Sequence, residues 1–144
     1  MGAAYYVVLN ANEPGFDTTI DGKALSRHSR PIDRIAKQLG FKSLDEYCSQ
    51  SPEEARLMMA SIMGFDGADQ LPPDAEATLA SMPPEQWYDA EHGLDYASQL
   101  AAHIRLNPQA VKDPEAVLDD LQAMSAVLTE AKKRGLKWHL QVDL

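Results

Sequence analysis

Ala4-Tyr5-Tyr6-Val7-Val8-Leu9 is a short apolar run, rich in β-branched and aromatic residues, and it predicts a buried strand. At the other end, Leu136, Trp138, Leu140 and Val142 alternate with Lys137, His139, Gln141 and Asp143, the period of a half-buried strand. These two segments are expected to pair. Asp21-Gly22 tolerates positive φ and predicts a hairpin turn between Phe16–Ile20 and a returning strand Lys23-Ala24-Leu25.

Helical spacing fills most of the remainder. Pro31 opens a helix bearing Ile32, Ile35, Ala36 and Leu39, which Gly40 ends. Ser43 and Glu46 form a capping-box pair for a short helix carrying Leu44, Tyr47 and Cys48. Ser51 and Glu54 repeat the pattern before Ala55, Met58, Met59 and Ile62, and Gly64 stops that helix. Phe65 to Pro84 is punctuated by proline, with one short helix expected over Ala75 to Ala80. Leu94, Ala97, Leu100, Ala101 and Ile104 make one stripe that ends before Asn107-Pro108. Asp113-Pro114-Glu115 starts the last helix, and Val117, Leu121, Met124, Leu128 and Ala131 form its buried face. The expected fold is α+β: a small, mainly antiparallel sheet including the N- and C-terminal strands, covered by about five helices, in a single domain over 1–144.

Composition sharpens this little, but charge does. At 144 residues, 44% hydrophobic and 24% charged, the chain is an ordinary globular protein. The net charge of −9 is unevenly placed. Residues 43–130 hold seventeen acids against three Lys/Arg, whereas 1–42 carry +2 and 131–144 carry +3. An acidic centre argues against nucleic acid as the partner, because phosphate neutralisation needs Lys and Arg. A solubility surface is the first explanation of it, and a basic protein partner the second. No apolar run reaches membrane-spanning length, and the N-terminus lacks a secretory pattern, so a cytoplasmic chain with no membrane partner is expected. Monomer and homodimer both remain open.

Chemistry is sparse. Cys48 is the single cysteine, the four histidines lack metal-ligand spacing, and no nucleophile elbow, phosphate loop or dinucleotide fingerprint occurs. No catalytic residue, metal site or cofactor is expected. Two segments stand out. Arg27, Arg30 and Arg34, with Lys23 and His28, lead into a helix start and can hold an anion; internal pairing with the acidic middle explains them too. Trp87, Tyr88, Asp89, Glu91 and His92 set aromatics beside acids and an imidazole, and can line a ligand pocket. The alternative there is that Trp87 staples a loop and Asp89 or Glu91 caps a helix.

The runs Leu39-Gly40-Phe41-Lys42-Ser43-Leu44-Asp45-Glu46-Tyr47, Trp87 to Leu94 and Gly135 to Leu140 resemble small uncharacterised bacterial proteins, some of them near toxin–immunity systems. The resemblance implies a bacterial cytoplasmic source and defines no active site. The leading functional expectation is a non-enzymatic protein-binding module, an immunity-type inhibitor with an acidic surface. The alternative is a small-molecule binder or modest enzyme with a pocket near Trp87 and His92.

Overall fold

The two chain ends meet as the periodicity requires. The computed structural model describes residues 3–11, 13–64, 71–82 and 84–143. Strand β1 (Ala4–Leu9) pairs antiparallel with β3 (Lys137–Asp143), Val7 opposite Leu140 and Leu9 opposite Trp138. A two-residue strand, β2 (Tyr88–Asp89), pairs antiparallel with the other edge of β3, giving the order β1-β3-β2. The fold is α+β, with six α-helices among the described residues, close to the expected five. The described residues form two units, 1–48 with 87–144, and 49–86.

In the first unit, α5 (Ala90–Leu106) and α6 (Pro114–Lys133) pack together and supply much of the core. The predicted stripes point inward: Ala97, Leu100, Ala101 and Ile104 from α5; Val117, Leu121, Met124, Leu128 and Ala131 from α6. Asp113 caps α6 by accepting the Ala116 N–H at 3.3 Å. Helix α2 (Ser29–Gln38) contributes Ile32, Ile35 and Ala36. It begins two residues before Pro31, which still lies within the first turn, where N–H groups have no intrahelical partner. Ser43 and Glu46 form the predicted reciprocal cap: Ser43 N donates to Glu46 Oε1 at 3.1 Å, and Glu46 N to Ser43 Oγ at 3.2 Å. The helix it starts is one 3-10 turn, Asp45–Tyr47, because Cys48 turns extended and bridges to Leu140.

Two expectations about strands are corrected. Lys23–Leu25 is not a strand: Lys23–Arg27 is a helix, α1, and Phe16–Ile20 is irregular. Gly22 has positive φ as expected, yet it serves as the cap of α1. The carboxylate of Asp120, on α6, accepts N–H bonds from Gly22 (3.2 Å), Ala24 (3.0 Å) and Leu25 (3.2 Å), so a distant acid draws this segment into helix. Gly22 in turn offers its carbonyl to Tyr5 N at 3.2 Å, covering the outer edge of β1. The second correction concerns β3, whose alternation does not hold at its centre. Trp138, His139 and Leu140 are all fully buried, and Val142 is exposed. Trp87 covers the second face by packing on His139 in a tilted arrangement with ring centroids 4.5 Å apart.

The second unit holds α3 (Pro52–Ile62) and α4 (Pro73–Ser81), the latter slightly longer than the predicted Ala75 to Ala80. Ser51 caps α3 by accepting Glu54 N at 3.1 Å. Arg56 reaches α4 in a bidentate bond to Glu76, which holds the Glu76 carboxyl below its usual range. The expected Phe65–Pro84 loop lies partly outside the described residues, at 65–70 and 83.

Candidate functional site

The Trp87–His92 segment does not gather into one cluster. Cross-strand pairing sets Tyr88 opposite Trp138, while Trp87 sits one residue away and packs on His139, as the period of two demands. Asp89 and Glu91 are exposed. Asp89 occupies the cap position of α5 without a side-chain cap bond; its carboxylate faces Lys137 at 3.7 Å, and its carbonyl accepts the Trp138 indole N–H at 2.9 Å.

Tyr88 and His92 instead join residues from the Phe41–Tyr47 turn. The Tyr47 hydroxyl and His92 Nε2 share a hydrogen bond of 2.8 Å. Phe41, Tyr88 and Tyr96 surround the pair at ring distances between 5.1 and 6.2 Å. Lys42 donates to the Tyr88 hydroxyl at 3.1 Å and lies over its ring. Tyr47 is fully buried, and burial pushes its hydroxyl above the usual phenol range. Burial also pushes the nearby Cys48 thiol up to about 11, so it stays protonated at neutral pH and is a weak nucleophile. This cluster is a packed aromatic wedge fastening the turn to α5 and the sheet.

Arg27, Arg30 and Arg34 are exposed on α1 and α2. Internal pairing with the acidic middle does not account for them: among the described residues, none of the three makes an ion pair.

On α3 the sequence leaves two readings open: Met58, Met59 and Met63 suit core packing and a helix face extended into a partner equally well. Ala55 is buried and Met59 half-buried, but Met58 is 53% exposed and Ile62 79% exposed. Leu57, at 60%, joins them, while the small Ala60 turns inward. Helix α3 therefore buries its alanines and presents Leu57, Met58 and Ile62. At about 100° per residue, Leu57, Met58 and Ile62 fall within an arc of about 140°, interleaved with Glu54 and Ser61. Met63 and Met82 add exposed thioethers in the same unit. The unit as a whole has seven acids and one arginine, a net −6.

No family model, curated protein or solved structure matches the chain. Among the described residues no helix is long and apolar enough to cross a membrane.

Proposed function

We propose that the protein is a non-enzymatic protein-binding module, an immunity-type inhibitor in character, whose acidic second unit docks on a basic partner. The outward face of α3 carries this reading. Burying a Leu, Met or Ile side chain is worth about 1.5–3 kcal/mol relative to leaving it in water. A helix selected only to stabilise its own unit would turn Leu57, Met58 and Ile62 inward and leave alanine outside. Apolar side chains grouped on a surface and rimmed by polar ones are the usual make-up of a protein-contact site. Methionine suits it because a flexible, polarisable chain adapts to the shape it meets. The net −6 of residues 49–86 selects a positively charged partner and speeds its approach, such as a protein with a basic substrate groove.

The test is affinity capture from the source cell, using the full chain and the L57S/M58S/I62S variant as baits. A basic protein is expected on the native bait at low salt and released at about 0.5 M salt, where screening cuts the electrostatic range to a few ångströms. The variant is expected to retain at least about tenfold less, since two or three buried apolar contacts each contribute more than 1 kcal/mol. Equal retention by both baits, or no retained basic protein, would remove the basis for this reading.

A further inference from the structure

The outer face of α2 is a second charged surface, opposite in sign to the chain as a whole. Arg30, Arg34 and Lys37 recur at i, i+4 and i+7, so at 100° per residue they lie within an arc of about 60°. Ile32, Ile35 and Ala36 occupy the opposite side and are buried, which fixes the cationic edge outward. Lys23 and Arg27 add an i, i+4 pair on α1. All five cations are exposed.

With 22 acids available to 13 Lys/Arg, Arg56, Lys133, Arg134 and Lys137 each find a carboxylate. Among the described residues Lys23, Arg27, Arg30 and Arg34 make no side-chain hydrogen bond, ion pair or ring contact. Arg105, Lys112 and Lys132 also lack an ion pair among the described residues; what sets the α2 cations apart is that they lie together on one helix edge. Lys37 feels the Asp33 and Glu46 carboxyls at longer range without forming an ion pair.

We infer that the Arg30–Arg34–Lys37 edge of α2 is a docking face for an acidic segment of a partner protein. The edge is one helix wide and about 10 Å long, seven residues at about 1.5 Å each. An acidic helix with carboxylates at the same spacing matches it, and each guanidinium can hold a carboxylate through two parallel N–H bonds. A nucleic-acid duplex or an anionic membrane presents negative charge over a much wider area. Either would meet the rest of a chain whose net charge is −9, so the compact anion is favoured. This inference stands on α2 alone and does not depend on what α3 binds.

The test is fluorescence anisotropy with the full chain and a labelled alanine-based helical peptide carrying glutamate at i, i+4 and i+7. Competing probes are a twelve-residue thymidine oligonucleotide and phosphatidylserine vesicles. The native chain is expected to bind the peptide saturably, with affinity falling as salt rises from about 20 to about 200 mM. The R30Q/R34Q/K37Q variant should lose at least about tenfold, while K132Q/K133Q, at a different basic cluster, should stay within about twofold. Circular dichroism checks that each variant folds, and Arg34→Gln alone, expected to lose about threefold, serves if the triple variant does not. The inference is overturned by absent peptide binding, by equal loss in K132Q/K133Q, or by tighter binding to the oligonucleotide or the vesicles.

Discussion

Replacing Gly22 with alanine should destabilise the protein by about 4 kcal/mol or more, by adding both a steric clash and backbone strain. The new Cβ would stand 1.8 Å from the Tyr5 carbonyl oxygen and 2.8 Å from its carbon, and these are backbone atoms of β1 that no rotamer change can move. The residue also sits at φ +69°, a left-handed conformation that costs a non-glycine residue about 1–2 kcal/mol. Relief requires the Gly22 segment to lift from the sheet edge, which breaks the Tyr5 N to Gly22 carbonyl bond. Gly135→Ala separates the two causes. That glycine also has positive φ, but nothing lies within 4 Å of its would-be Cβ, so only the conformational cost of about 1 kcal/mol should appear. Urea unfolding of both variants measures the difference directly. Equal losses would show that the close approach to Tyr5 is wrong.

Asp120→Ala should cost about 3–5 kcal/mol, a fall in melting temperature on the order of 10 °C. Three N–H groups lose their acceptor at once, and each costs about 1–3 kcal/mol if it stays buried and unpaired. Helix α1 has only five residues and cannot hold itself together without that anchor, so the buried side chains of Ala24 and Leu25 loosen with it. Asp120→Asn keeps one acceptor oxygen and removes the charge, so it should lose roughly half as much. Its pH profile is informative. Burial pushes the Asp120 carboxyl above its ordinary value, against the pull of the three N–H donors. A raised folded-state value means that the stabilising contribution is full below about pH 4, the unfolded value, and declines as pH rises through the folded one. The gap between native and Asp120→Asn should therefore narrow as pH rises from about 4 toward neutrality. Thermal melts across that range, read by circular dichroism, check it.

Both of these positions show where the sequence stopped being legible. The terminal strands, α5 and α6 could be read because their apolar residues recur over many positions and their caps, such as Asp113, are local. Gly22 was visible as a turn, but the acid that makes it a helix cap lies 98 residues further along. Nothing in Asp21-Gly22-Lys23 announces that partner. The apolar–polar alternation of the β3 sequence did not extend to its burial, because His139 is covered by Trp87, which reaches it from β2's side of the sheet. The Tyr47–His92 hydrogen bond spans 45 residues and has no spacing signature.

The inward face of helix α3 was left open for a different reason. Its span contains Ala55, Leu57, Met58, Met59, Ala60 and Ile62, apolar residues on nearly every side, so the periodicity allows more than one inward face. Core packing and a partner-facing surface are both compatible with that pattern, and the structure buries Ala55 and Ala60. The basic edge on α2 was visible as a cluster of arginines. Its lack of internal partners was not, because pairing depends on which acids the fold brings near.

The claim on which the functional account turns is that the large side chains of α3 lie outside the packing that stabilises their own unit. Hydrogen–deuterium exchange of the α3 amides in native and L57S/M58S/I62S chains tests it most directly, since it reports on that helix itself. Protection is expected to fall by no more than about tenfold, because three exposed substitutions each typically shift stability by no more than about 0.5 kcal/mol. A loss of protection of about a hundredfold or more would mean that Leu57, Met58 and Ile62 hold α3 in place, and would contradict their assignment as a binding face.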